Sequence, residues 1–212
     1  MLRHYIISVL IMPIMLLSTC GSGGSNIQLK REKKILNYYS EQKKDKYAHL
    51  LVDLKNYTTN GDLYQKKYKK HLIGVASELL EVKKFIIKEG SIGFYYDKKS
   101  KERDKLYFGL DIIESEKFNT SYPKTAIALI KKNLQPVMET LNSCRTIFYE
   151  KEVVGIVVGF HWESAVSNKY NVNVWIHEGD VFLYEDSRLT FNELVHRSTI
   201  TDTKGEIIRL QL

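Results

Sequence analysis

The first half of the globular part of the chain shows a helical spacing of apolar residues. In residues 27–55 apolar side chains recur about every three to four positions with lysine and glutamate between them, which predicts a helix. A polar break over 56–61 follows, and Asp62 can cap a second predicted helix over residues 62–88. The apolar stretch 85–87 also fits the start of a strand, and the pattern leaves both interpretations open.

From residue 91 onward the apolar spacing changes to every second residue, which is typical of half-buried strands. Residues 91–96 and 106–113 are predicted to be strands that pair as a hairpin. A serine cap and a proline in the first turn then favour a long helix over 121–147. Pro136 lies inside this helix, so a kink or an early split is expected there.

The rest of the chain is predicted to be mostly strand. Further strands are expected over residues 153–163, 170–177, 181–185 and 206–212. Thr190 and Glu193 have the spacing of a capping box, which predicts a short helix over 190–197. Because consecutive strands are joined by short turns, the sheet is expected to be mainly antiparallel. The predicted fold class is α+β: a mainly antiparallel sheet of about five to six strands with one long covering helix, preceded by two N-terminal helices.

The N-terminus has the order of a secretory signal. One basic residue precedes an apolar run over 5–17, which is shorter than the roughly 20 residues that cross a bilayer. Leu17, Ser18, Thr19 and Cys20 come next, followed by a stretch rich in glycine and serine. This segment resembles the lipobox of bacterial lipoproteins. The resemblance implies cleavage before Cys20 and attachment of acyl chains, palmitate among them, to that cysteine.

This interpretation divides the chain into a signal peptide over 1–19, a lipidated Cys20 with a flexible tether over 20–26, and one domain over 27–212. The domain would consist of a helical part, 27–88, and a sheet part, 89–212. The expected location is a membrane surface outside the cytoplasm, which is the outer membrane or the cell surface if the bacterium has two membranes.

Charge and composition narrow the possible partners. The chain is 43% hydrophobic and 27% charged, which is typical of a globular protein. Residues 27–105 hold 20 Lys/Arg and 11 Asp/Glu, whereas residues 106–212 hold 11 and 14. The basic half fits either a solvated lysine-rich face or a surface that attracts anionic lipid, an anionic glycan or an acidic protein. Nucleic acid is not expected, because the chain is predicted to be exported and carries no nucleic-acid-binding motif.

The cysteines suggest anchoring rather than catalysis. With Cys20 lipidated, Cys144 is the one thiol left, so an intrachain disulfide is excluded. Cys144 sits in an apolar helical pattern, which predicts a buried side chain rather than a nucleophile.

The candidate binding residues lie on the hairpin predicted from the strands at 153–163 and 170–177. They share the polar side of that hairpin and are His161, Glu163, Trp175 and His177. A three-residue turn at 167–169 would place His161 opposite Trp175 and diagonal to His177.

Two interpretations of this face remain open. It could be a polar surface on which a sugar ring or a peptide binds beside Trp175. It could also be a zinc-type set formed by His161, Glu163 and His177, with Asp180 nearby.

The leading functional hypothesis is a non-enzymatic lipoprotein that binds a partner at the cell envelope, with no catalytic residue, metal ligand or cofactor assigned. It follows from the lipobox-like segment and from the absence of the nucleophile, P-loop and dinucleotide motifs in the sequence. One alternative is a metal-dependent envelope hydrolase that uses His161, Glu163 and His177. The other is a structural protein of envelope assembly whose helical part docks onto a partner.

Overall fold

The computed structural model describes residues 22–97 and 104–211, so the predicted signal peptide over 1–19 and Cys20 lie outside the described residues. The helices are α1 (Ser22–Asn37), α2 (Glu41–Tyr47), α3 (Gly61–Lys67), α4 (Lys69–Ser77), α5 (Tyr122–Asn142), α6 (Glu178–Glu185) and α7 (Phe191–Arg197). The strands are β1 (Ile86–Ile87), β2 (Gly93–Tyr95), β3 (Leu106–Phe118), β4 (Val153–Ser164), β5 (Lys169–His177) and β6 (Thr199–Thr201).

The N-terminal helical part is more broken than predicted. The helix expected over 27–55 ends at Asn37, because Ser40 takes an extended conformation and accepts a hydrogen bond from the backbone N–H of Lys43, which starts α2. The helix expected over 62–88 is divided into α3, α4 and a π-helical turn at Glu78–Val82. The strand alternative at 85–87 is confirmed, since β1 forms there. Helix α1 begins at Ser22, within the predicted tether over 20–26.

Six strands of the described chain form one sheet in the order β1-β3-β4-β5-β6, with β2 also paired to β3. The predicted hairpin of β2 and β3 is confirmed, and β4 pairs with β5 in antiparallel fashion as expected. Strands β1 and β2 pair with successive stretches of β3, around Ile112 and Phe108 respectively. The fold class is therefore α+β.

The prediction of a mainly antiparallel sheet is wrong, because the two longest strands, β3 and β4, run parallel. The segment that joins them contains helix α5, 21 residues long, which carries the chain back along the sheet before β4 begins. The sheet is therefore mixed.

Two predicted strands near the C-terminus are also wrong. Residues 181–185 belong to α6, whose first turn carries acidic side chains and whose N-cap is the imidazole of His177. Residues 206–211 contribute only an isolated bridge between Ile207 and Thr201 and form no strand. The predicted capping box between Thr190 and Glu193 is confirmed at the start of α7.

Helix α5 covers one face of the sheet, and its apolar side packs on β3, β4 and β5. It runs through Pro136 without splitting, and the carbonyl of Pro136 accepts hydrogen bonds from Nζ of Lys83 (2.7 Å) and Oγ1 of Thr140 (3.1 Å). The α-helix ends at Asn142, and a 3₁₀ turn at Arg145–Tyr149 follows, so the predicted end at 147 was too late.

The helical part and the sheet part share one hydrophobic core. Ile35, Leu72 and Leu79 belong to the same buried cluster as Phe108 and Phe160. Cys144 lies in this core with 0% exposure, and burial raises the pKa of its thiol well above the ordinary value. The prediction that Cys144 is buried is confirmed.

Candidate functional site

The face of the sheet opposite α5 carries the candidate residues. Along β5, Val172, Val174 and Ile176 are buried, whereas the intervening side chains are half-buried or exposed. We call the sheet surface that faces away from α5 the open face. Its side chains come from β3, β4 and β5 and include Tyr107, Asp111, Val157, His161, Asn171, Asn173 and Trp175.

The strand register differs from the predicted one. His161 lies opposite Asn171, Trp175 opposite Val157, and His177 opposite Gly155. The connecting turn spans 165–168, with Ser167 in the left-handed region at φ 64°, and is one residue longer than expected. His161 and His177 therefore lie on the same face but six residues apart along β4, roughly 20 Å.

His177 has a structural role that sequence reasoning missed. Its Nδ1 accepts a hydrogen bond of 3.2 Å from the backbone N–H of Gly179 and caps α6. Asp180, which was expected near the metal set, instead pairs with Arg197 at 3.2 Å. Within residues 22–97 and 104–211 no group of three His, Cys, Asp or Glu side chains is placed to hold a metal ion. The geometry thus does not assemble the zinc-type set.

Trp175 is held by neighbours on the open face. Its Nε1 donates to Oγ1 of Thr201 (3.3 Å), and its ring meets Tyr107 edge to face with 5.2 Å between centroids. Trp175 lies about 13 Å along the sheet from His161. The four residues predicted to form one site are therefore spread along the open face, and only His161 and Glu163 remain close together.

A charged cluster that sequence reasoning missed surrounds His161. Oδ2 of Asp111 lies 2.9 Å from Nε2 of His161 and 3.2 Å from Nζ of Lys88. This Nε2 atom is buried, and its contact with Asp111 is short but poorly aligned for a hydrogen bond. Burial by itself raises the pKa of Asp111. The neighbouring His161 and Lys88 outweigh burial, so the pKa of Asp111 lies below its ordinary value.

Gly159 makes room for this cluster. A Cβ at that position would overlap Oδ1 of Asp111 and would lie 2.8 Å from Oδ1 of Asn173. Both polar side chains therefore lean across β4 at a residue that has no side chain. Lys88, Asp111, Gly159, Asn173 and Thr201 form a polar row across the sheet.

A cleft opens directly beside this row. The register between β3 and β4 shifts between Ile113 and Lys117, so β3 has two more residues than β4 over this stretch. Such bulges are common beside functional sites because they redirect side chains. The resulting bulge cleft has a volume of about 460 Å³. It is lined by Lys88, Ile113, Glu114, Ser115, His161, Trp162, Glu163, Lys169 and Tyr170.

The bulge cleft is lined by both positively and negatively charged side chains. Glu163 pairs with Lys117 at 3.6 Å, and it lies opposite Lys169 in the strand register. Glu114 pairs with Lys132 at 3.5 Å and accepts a hydrogen bond of 2.5 Å from Nδ2 of Asn133. The two lysines and two glutamates that line the cleft balance each other, so the cleft offers both hydrogen-bond donors and acceptors without a strong net charge.

The sequence contained one signal of this site. Asp111 is an acidic residue within the otherwise apolar strand pattern over 106–113. A carboxylate that is buried in a sheet normally needs a charged or hydrogen-bonding partner. The partners come from β4 and from the segment after β1, far away in sequence, and the sequence pattern does not identify them.

Comparison of this chain with protein-family models, with curated proteins and with solved structures gives no match. In the described part of the chain, none of the helices combines the length and the apolar character that a membrane crossing requires.

Proposed function

We propose that this protein is a lipid-anchored, non-enzymatic binding protein of the bacterial cell envelope, and that the bulge cleft is its ligand site. The observation that carries the proposal is the cleft itself. It opens where β3 bulges, and its wall includes His161, whose imidazole contacts Asp111. Ligand sites are typically concave and partly apolar, with a small number of placed polar groups, and the bulge cleft with His161 at its side has these features.

The composition of the cleft favours an uncharged ligand with several hydroxyl groups. Lys88 and Lys169 offer donors, Glu114 and Glu163 offer acceptors, and their charges cancel. The half-buried ring of Tyr170 forms part of the wall and supplies an apolar surface against which a sugar ring can pack. Behind it lies the buried ring of Trp162, with the two ring centroids 5.9 Å apart. A neutral glycan satisfies both features, so we place it first among the candidate ligands.

The anchor is proposed from Leu17, Ser18, Thr19 and Cys20. A lipid on Cys20 would hold the domain at a membrane surface, because two or more acyl chains give stable attachment. On this proposal the location is the outer membrane or the cell surface in a bacterium with two membranes.

Labelling tests the anchor. Cells that express the full chain are grown with radioactive palmitate, and the Cys20→Ala variant is treated in parallel. We expect label on the wild-type protein alone. Equal labelling of the two proteins, or no label on the wild-type protein, would contradict the anchor. Protease added to intact cells then reports whether the domain faces outward.

Binding to an array of neutral and anionic glycans tests the ligand site. We expect the full chain to bind a neutral glycan and the Glu163→Gln variant to lose that binding by roughly tenfold, the loss of one charge-assisted hydrogen bond. Glu206→Gln removes the same charge from an exposed position outside the cleft and should bind like the wild type. Equal binding by both variants, or binding to anionic glycans alone, would argue against the bulge cleft as proposed.

A further inference from the structure

Helix α1 presents an outward face that carries positive charge and no negative charge. The exposed side chains of this helix over residues 26–37 include Lys30, Lys33 and Lys34. The one acidic residue in this stretch, Glu32, points inward and is 6% exposed. There it accepts hydrogen bonds from Oγ1 of Thr146 (2.5 Å) and contacts Nε2 of His71 at 3.0 Å. The charge of Glu32 is thus used inside the protein.

Two of the lysines on this face have no partner among the described residues. Arg31 reaches Glu185 at 3.4 Å and Lys34 reaches Glu78 at 3.6 Å, whereas no ion pair involves Lys30 or Lys33. At about 100° per residue, Lys30 and Lys33 lie near the centre of the exposed arc. Both are free to meet an external anion.

Large apolar side chains flank the lysines. Ile27 is 56% exposed and Leu29 is 55% exposed, and they lie on either side of Lys30 and Lys33 around the helix. Exposed apolar residues beside lysines are typical of helices that lie in the headgroup region of a membrane.

We infer that the outward face of α1 rests on the anionic headgroups of the bilayer that holds the protein. The inference rests on the proposed anchor at Cys20 and deepens it. Helix α1 begins at Ser22, two residues after that cysteine, and two extended residues span at most about 7 Å. A lipid on Cys20 therefore keeps the first turn of α1 at the membrane surface. The lysines then meet the negative charge of the lipids, and Ile27 and Leu29 can enter the interface.

Vesicle binding tests whether the lysines of α1 contact anionic headgroups. The protein used is the full chain with Cys20→Ser, which cannot receive the lipid. One vesicle type contains phosphatidylcholine alone, and the other contains phosphatidylcholine and phosphatidylglycerol in equal parts. The phosphatidylcholine vesicles measure binding by the apolar run over 5–17, which is present in every variant. We expect tighter binding to the anionic vesicles, and we expect added salt to abolish the difference.

Charge-removing variants locate the contact. Each lysine near an anionic surface contributes roughly a fivefold gain in affinity, so Lys30→Gln/Lys33→Gln should weaken anionic-vesicle binding roughly 25-fold and leave phosphatidylcholine binding unchanged. The control Lys124→Gln/Lys131→Gln removes two exposed lysines from α5 and should bind like the parent. Equal losses in the two double variants, or no preference for anionic vesicles, would overturn the inference.

An apolar pair of variants separates insertion from simple charge attraction. Leu29→Ser should weaken binding to anionic vesicles, whereas Leu63→Ser, at a leucine of similar exposure (57%) in α3, should not. Equal effects of the two serine variants would contradict a helix face seated in the headgroups.

The two proposals fail separately. If palmitate labels Cys20 but the α1 lysine variant binds anionic vesicles like its parent, the anchor stands and the contact of α1 is overturned. If Cys20 is not labelled but anionic binding depends on Lys30 and Lys33, the α1 contact is supported and the anchor fails.

Discussion

At the scale of single residues, glycines decide how closely β3 and β4 approach each other. A Cβ on Gly109 would overlap the backbone oxygen of Val157 on the neighbouring strand. Backbone cannot move aside as the end of a side chain can, so this position accepts only glycine at the observed strand spacing. Gly159 has the corresponding role toward side chains, because it makes room for Asp111 and Asn173. Both contacts involve atoms on neighbouring strands.

Replacement of Gly109 tests this account. We expect Gly109→Ala to lower the free energy of unfolding by about 1–3 kcal/mol, because the added methyl group must force the two strands apart. Gly179→Ala is the matched control. Its Cβ would lie 3.5 Å from Nδ1 of His177, an ordinary contact, and alanine in α6 should be neutral or stabilising by up to about 1 kcal/mol. Urea unfolding of both variants measures the difference, and equal losses would refute the packing argument.

At the scale of elements, α1 is held to the body of the protein by a buried polar cluster. Oε1 of Glu32 contacts Nε2 of His71 on α4, and it accepts hydrogen bonds from both the backbone N–H (3.2 Å) and the hydroxyl of Thr146. Burial lowers the pKa of His71, and the opposing effect of Glu32 does not cancel it. The attachment of α1 therefore depends on a histidine that is neutral in the folded protein.

This dependence predicts a loss of stability in mild acid. Because the pKa of His71 is lower in the folded protein than in the unfolded chain, His71 contributes stability that is complete above its ordinary pKa of about 6.5 and is lost as the pH falls toward the lower value. We expect the free energy of unfolding to fall between about pH 7 and pH 5, and we expect His71→Gln to reduce that slope. His196→Gln removes an exposed histidine and should leave the slope unchanged. A steeper slope in His71→Gln would reverse the sign of the argument.

At the scale of the whole molecule, the helical part and the sheet part depend on each other. Strand β1 follows the π-helical turn after α4 directly, yet it pairs with β3 in the middle of the chain. Tyr68, the N-cap residue of α4, donates a hydrogen bond from its hydroxyl to the carboxylate of Glu150. Nζ of Lys83 in the helical part donates to the carbonyl of Pro136 on α5. Contacts between the two parts thus include apolar packing, hydrogen bonds and strand pairing.

Because the helical part and the sheet part share one core, we expect them to unfold in one cooperative transition. Both tryptophans, Trp162 and Trp175, lie in the sheet, so fluorescence reports on the sheet, whereas far-ultraviolet circular dichroism reports mainly on the helices. We expect the two signals to give the same urea midpoint. A helical signal that is lost at lower urea than the fluorescence would contradict a single transition and show that helices unfold before the sheet.

The sequence by itself determined the features that depend on neighbouring residues. The period-two pattern located β3, β4 and β5, the capping box located the start of α7, and the apolar surroundings of Cys144 predicted its burial. These features follow from local side-chain spacing and from backbone hydrogen-bonding needs, both of which are visible in a short window of sequence. The lipobox-like segment is local in the same sense, and its role stays a prediction.

The tertiary structure alone decided the direction of β4, the register of the β4–β5 hairpin and the composition of the site. The parallel pairing follows from how α5 returns across the sheet, and the register follows from a hairpin centred at residue 166, two residues earlier than predicted. His161 was predicted to lie opposite Trp175 but lies opposite Asn171, four residues earlier on β5. An even shift keeps every side chain on its predicted face, but this one moves His177 away from His161. Asp111, Lys88 and the bulge cleft come together only through pairings between distant segments, because strand pairing is a long-range interaction that no local pattern encodes.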